Sequence, residues 1–290
     1  MISGVFNVDK PRGITSHKVV SIVRRVTGIR KVGHAGALDP MATGVLLLCV
    51  GRATRVAEYL TRSDKSYQAT VRLGVETDTY DADGQVVHTR PVRVGRNEVE
   101  AALAEFCGSI SQIPPMYSAV KQAGQPLYKL ARRGISVERQ PRQALISHIA
   151  LTAWFPPEFS FKVTASAGTY VRSLAYDLGQ QLGCGAHLTK LVRTRSGHFE
   201  LDDAIPLRKL TEGNWQSHLQ PMAVAVADFP RVTLSDPEAK QMVRGQSIPL
   251  RPEHPQADLV RAHTTDDFFL ALIKPSEDGQ RWLPHKVFIG

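Results

Sequence analysis

The sequence predicts an α+β protein: a mixed sheet flanked by helices in residues 1–228, then a small mostly-β domain in 229–290. Three observations carry this. Strand-like alternation and helical periodicity intersperse along the first part. The character changes near Ala227-Asp228-Phe229-Pro230, after which prolines punctuate short strand-like runs. Charge changes there too: 229–290 hold eight Lys/Arg and eight Asp/Glu, whereas 1–228 hold 28 and 19, the whole of the net +9.

Val5–Pro11 reads as a short strand ended by Pro11 and Gly13. Thr15 or Ser16 can cap a helix in which Val19, Ile22, Val23 and Val26 share a face; Gly28 ends it, and Lys18, Arg24 and Arg25 lie on the other side. A glycine-rich loop spans Ile29–Thr43, followed by a buried strand, Val45–Val50, and a helix through Ala53–Leu60. Tyr67, Ala69, Val71 and Leu73 form one face of a strand. Asp78–Gly84 is an acidic turn, and Val99–Phe106 a short helix. Ile113-Pro114-Pro115 breaks the chain before an arm in which Pro126–Arg133 is helical and Gly134 stops it. Phe161–Ala165 is a strand; Thr169 can cap a helix carrying Val171, Leu174, Ala175, Leu178 and Leu182, closed by Gly183. Val232–Leu234, Ser247–Leu250 and Phe268–Ile273 are strand-like.

With 290 residues, 42% of them hydrophobic, the chain can bury one large core and a small second one. The apolar run Val45–Val50 is far too short to cross a bilayer. The start, Met1-Ile2-Ser3-Gly4, lacks a basic and apolar leader, which predicts a cytoplasmic protein with no membrane contact. Cys49, Cys107 and Cys184 are widely spaced, with no Cys-x-x-Cys pair, and no histidine pattern asks for a metal. Asp81-Ala82-Asp83-Gly84 mimics part of a calcium loop, but Arg90 falls where a glutamate is needed. A net charge of +9 and a pI near 9.6 suit a polyanion, nucleic acid being the commonest. Within 115–145, Lys121, Lys129, Arg132, Arg133, Arg139 and Arg142 face Glu138 alone. That arm is the candidate phosphate grip, with Lys121, Arg132, Arg133 and Arg142 as its contacts.

Gly33-His34-Ala35-Gly36-Ala37-Leu38-Asp39-Pro40-Met41-Ala42-Thr43-Gly44 sets one carboxylate in a loop with three glycines before a buried strand. Glycines admit close approach of backbone to ligand, and a carboxylate fixed there can act as a nucleophile. An isolated Asp-Pro is more often a plain turn.

This segment resembles the catalytic motif of the bacterial tRNA pseudouridine-55 synthase family, close to Gly-His-Thr-Gly-x-Leu-Asp-Pro-x-Ala-Thr-Gly. Ala35 stands where the family usually has threonine, and Leu47 replaces a frequent proline. Asp9–Ser16, Lys65-Ser66-Tyr67, Thr77–Gly84, Pro115–Lys121, Gly168–Arg172 and Gly183–Leu188 also have counterparts, so the resemblance covers roughly 1–200. Residues 229–290 match loosely, where the family carries an RNA-binding pseudobarrel called PUA.

The resemblance implies isomerisation of one uridine in the T arm of tRNA, without metal or cofactor. The bond from ribose C1′ to uracil N1 breaks and C1′ rejoins at C5. Asp39 would be the nucleophile, attacking C1′ or adding to uracil C6. Tyr67 would stack on the flipped uracil and serve proton transfer at C5. Arg172 would pair with Asp39, since an adjacent cation favours an ionised carboxylate. Asp81 would join that charge network, and Tyr170 and Leu191 would line the uracil pocket. His34 would fill the gap left by the extruded nucleotide. The implied partner is tRNA through its T stem-loop, bound by a monomer with no obligate protein partner. The rival readings are a tRNA-binding folding helper without chemistry, and an enzyme of the same fold acting on ribosomal or guide-selected uridines.

Overall fold

The computed structural model describes residues 2–122 and 124–288. Strand β1 (Gly4–Lys10) is buried throughout except at Asp9. In α1 (Ser16–Thr27) the Thr15 hydroxyl accepts from the Lys18 amide, and Gly28 closes the helix at φ 70°, a left-handed geometry that costs glycine little. Val19, Val20 and Val23 turn inward, while His17, Lys18, Ser21, Arg24 and Arg25 stay exposed. The stretch expected as loop holds a short strand, β2 (Val32–His34), on the edge of β3 (Thr43–Val50). Three residues carry too little alternation to betray a strand in sequence.

A 3₁₀ turn at Gly51–Arg55 leads into α2 (Ala57–Arg62), then β4 (Lys65–Leu73). The acidic turn is held in a hairpin of β5 (Val75–Thr77) and β6 (Val86–Thr89). Next come α3 (Arg96–Glu105) and β7 (Gly108–Gln112). The arm contains β8 (Lys121–Gln122), β9 (Gln125–Pro126) and α4 (Leu127–Ala131). The chain returns through β10 (Arg142–Phe155), β11 (Glu158–Ala165), α5 (Val171–Gln181), β12 (Ala186–Ser196), β13 (Phe199–Glu200), β14 (Ile205–Pro206) and α6 (Leu207–Thr211). The expected cap of α5 is displaced by one residue: Tyr170 is the N-cap, and the Thr169 hydroxyl turns back to donate to Ser166 O.

The main sheet has ten strands in the order β14-β1-β3-β12-β4-β11-β10-β7, with β2 and β13 attached at its side. It is mixed, with parallel pairs β1–β14 and β3–β12. The strand that joins its halves, β12, pairs with both β3 and β4. Strands β12 and β10 carry no legible alternation in the sequence, because bulges at Leu188/Lys190, Arg193/Arg195 and Leu151/Ala153 interrupt it.

The C-terminal part comprises β15 (Arg231–Leu234), α7 (Asp236–Val243), β16 (Ile248–Pro249), β17 (Val260–Thr264), β18 (Phe269–Pro275) and β19 (Arg281–Val287), in a five-stranded sheet β15-β17-β18-β19-β16. It has a core of its own around Val232, Met242 and Trp282. A separate cluster joins it to the main sheet: Val5, Val45, Leu47 and Cys49 pack with Phe269, Leu272 and Phe288. Polar contacts reinforce that seam. Arg55 donates to Val287 O at 2.5 Å, Lys286 pairs with Glu58, and His285 meets the Tyr59 hydroxyl at 3.1 Å. Among the described residues no helix is long and apolar enough to cross a membrane.

Candidate active site

The Asp39 loop is pinned from three sides. Ser16 Oγ accepts from Leu38 N at 2.8 Å and donates to Leu38 O at 3.0 Å. Lys10, fully buried, donates to Pro11 O and Ile14 O at 2.8 Å and to Pro40 O at 3.3 Å, while Gly13 N reaches Pro40 O at 2.8 Å. From behind, Arg193 on β12 gives Nη2 to Gly36 O at 3.0 Å, Nη1 to Ala37 O at 3.4 Å and Nε to Val45 O at 2.6 Å. Gly44 is the exit of the loop. It has φ 98°, and a Cβ there would lie 2.3 Å from Arg193 O, so both geometry and space demand glycine. With Leu38, Met41 and Ala42 buried, the Asp39 side chain is left to project.

Arg172, second residue of α5, meets it. Nη2 donates to Oδ1 at 3.0 Å; Nε stands 2.9 Å from Oδ2, within ion-pair range but off the line of a hydrogen bond. The guanidinium also serves other segments: Nη1 donates to Thr79 O at 3.1 Å and lies 3.4 Å from Asp81 Oδ2, and Nη2 donates to Tyr117 O at 2.8 Å. One buried cation thus ties together the Asp39 loop, the acidic turn and the root of the arm. Asp81 is fixed in turn by the Thr79 hydroxyl at 2.6 Å and by Asp83 N at 3.1 Å. Its neighbour Tyr80 adopts φ 63° and stacks on Tyr176 of α5, with ring centroids 4.1 Å apart.

Burial sets the electrostatics. It pulls Lys10 down to about 8 against the attraction of Asp39, with Arg193 pushing the same way as burial. It raises the Asp81 carboxyl against the Thr79 hydrogen bond and Arg172. It raises the Tyr170 phenol against Ser118, Arg142 and Arg172, with Asp39 adding to the rise. His34 is lowered by burial, then by His17 and Arg193.

The structure therefore brings Asp39, Arg172, Asp81 and Tyr170 into one electrostatic group. Tyr67 on β4 pairs directly with Arg193 on β12, and Leu191, also on β12, pairs with Ala69 in the main core. His34 ends β2 with its ring edge-on to His17 at 5.5 Å. Lys121, Arg132, Arg133 and Arg142 are all exposed; Arg142 comes within electrostatic reach of Tyr170, and Arg132 lies over the Tyr128 ring at 5.6 Å. Lys10, Ser16 and Arg193, which build the loop, are not among the site residues the sequence points to. Lys10 and Ser16 lie within the opening motif, whereas Arg193 lies on β12, whose bulges break its alternation.

A half-exposed carboxylate aimed outward and clamped by a buried guanidinium can donate an electron pair to an electrophilic carbon. Its loop leads into β3, inside the mixed sheet, and Arg172 ties it to the root of the basic arm, an arrangement shared with pseudouridine synthases. Two family models match in tandem: the N-terminal domain of TruB family pseudouridylate synthases over residues 24–171, and the tRNA pseudouridylate synthase B C-terminal domain over 172–227. The chain belongs to the TruB family of tRNA pseudouridine synthases. It is 44% identical over 286 residues to tRNA pseudouridine synthase B of Stutzerimonas stutzeri, spanning 96% of this chain and 93% of that one. Identity to the same-named protein of Dehalococcoides mccartyi is 44% over 294 residues, spanning 99% and 97%. Among solved structures, a Cbf5-Nop10-Gar1 complex matches with a TM-score of 0.76 at 30% identity, over 99% of this chain and 85% of that one. An H/ACA RNP bound to a substrate RNA containing 2′-deoxyuridine matches at 0.75 and 28%, with the same coverage.

Proposed function

We propose that this enzyme isomerises uridine-55 in the T arm of tRNA, with Asp39 as its nucleophile. The observation that carries the reading is the Arg172–Asp39 pair: a cation 4% exposed holding a carboxylate 37% exposed. The carboxylate is fixed on one side and open on the other, where an extruded nucleotide would enter. Asp39 bonds to the nucleoside, at C1′ or C6, while the C1′–N1 bond is lost and the uracil turns. C1′ then joins C5, the C5 proton leaves, N1 takes one up, and the carboxylate is released. The reaction is balanced without an oxidant or reductant. Tyr67 stacks on the uracil and serves the C5 proton, Tyr170 and Leu191 line its pocket, Asp81 steadies Arg172, and His34 takes the vacated place in the RNA.

In this reading 1–228 is the catalytic domain, 115–145 its thumb-like arm, and 229–290 a PUA-like RNA-binding domain. The enzyme works as a cytoplasmic monomer on the T stem-loop, with Lys121, Arg132, Arg133 and Arg142 on phosphates. The test is to incubate the pure protein with unmodified tRNA, without additives, and map pseudouridine. Conversion at position 55 is expected. Binding without conversion would leave a folding helper, and conversion elsewhere a different specificity.

A further inference from the structure

The arm is not the most one-sided stretch of the chain. From Pro11 to Leu38 there is no aspartate or glutamate, but there are six cations: Arg12, Lys18, Arg24, Arg25, Arg30 and Lys31. All six are exposed, and among the described residues none makes an ion pair. A surface shaped only for solubility mixes both signs. Here one sign fills the outer arc of α1, where Lys18, Arg24 and Arg25 lie beside His17, and continues into Arg30 and Lys31 before β2.

Its position gives this face a use. His17 meets His34 at 5.5 Å, Arg24 donates to Val32 O at 2.7 Å, and Ser16 holds Leu38, so α1 is bolted to the side of the Asp39 loop. The arm joins the same loop elsewhere, through Tyr117 O on Arg172. A polyanion lying across Asp39 would meet cations on both flanks. The arc exposes no large apolar side chain that could enter a lipid layer.

We infer that the α1 face, with Arg30 and Lys31, is a second track for the sugar-phosphate backbone of the substrate RNA, separate from the arm. This rests on the reading of the substrate as tRNA. The test is a quadruple variant, Lys18→Gln, Arg25→Gln, Arg30→Gln and Lys31→Gln, which spares Arg24 and keeps helix propensity on α1. Binding of a T stem-loop RNA is measured at several salt concentrations, and protected phosphates are mapped by hydroxyl-radical footprinting. Each lost contact should lower the log–log salt slope by roughly 0.7 to 0.9. A fall of at least about one, with protection lost at phosphates that an arm variant leaves protected, supports the track. An unchanged slope and footprint in a variant with unchanged melting temperature overturns it. So does loss of the same phosphates in both variants, which makes the two surfaces one. If the wild type converts no uridine but the slope still falls, the catalytic reading fails and the track stands. Should the variant melt early, the pair Lys18→Gln and Lys31→Gln repeats the measurement.

Discussion

Arg172 is buried and Asp39 is not: the cation is 4% exposed, its partner carboxylate 37%. The arginine is therefore part of the scaffold, and the aspartate is the member of the pair left open to solvent. Asp39→Asn keeps the shape and one acceptor oxygen but is a poor nucleophile. Turnover should vanish in a tritium-release assay, while affinity for tRNA stays within about tenfold, roughly 1.4 kcal/mol. Residual turnover at more than a trace would remove Asp39 from the role.

Arg172→Ala should do wider damage. It unpairs buried Asp81 and leaves Thr79 O and Tyr117 O without their donor. Losing one partner of a buried pair costs about 3–5 kcal/mol, so both kcat and melting temperature should fall. Arg172→Lys keeps a charge but cannot span the same acceptors. It should recover more stability than activity; equal recovery of both would show that charge alone suffices.

Tyr80 and Tyr176 lock the acidic turn to the helix that carries Arg172, one turn along from it. A double-mutant cycle with Tyr80→Ala and Tyr176→Ala should give a coupling of about 0.5–1.5 kcal/mol in urea unfolding. Additive effects would mean that the stack does not hold the turn.

Asp177 on α5 supplies a pH prediction. Burial, with no opposing charge or hydrogen bond among the described residues, lifts its carboxyl from 3.8 to about 6. The folded state therefore holds a proton that the unfolded state releases between about 4 and 6, and stability falls as pH rises through that window. Asp177→Asn should raise stability at pH 8 by roughly 1–3 kcal/mol and change it little at pH 4. Thermal melts at both pH values decide it; an equal gain at each would place the cause outside this ionisation.

Much of this was legible in the sequence, for physical reasons. The first helix declared itself through the spacing of Val19 and Val23 and the glycine at 28, all local signals. The Asp39 loop declared itself through a motif whose glycines have steric work to do, as Gly44 does against Arg193. What stayed hidden was non-local. Nothing in the order of residues says that Arg193 will lie behind Gly36, or that Ser16 will cap no helix and instead pin Leu38. The change of character near 227–230 marked where the chain alters, but it hid the cluster that spans both sides of it.

That cluster has a consequence for how the chain comes into being. Val5 and Phe288 stand 283 residues apart along the chain, yet they share one apolar core. At about 5–20 residues per second, Val5 waits roughly 15 to 60 s for Phe288, and the core stays without Phe269, Leu272 and Phe288 until the chain has nearly run its length. A chain cut off after the main sheet would keep part of that core uncovered, an apolar patch offered to neighbouring molecules instead of to its own C-terminal strands.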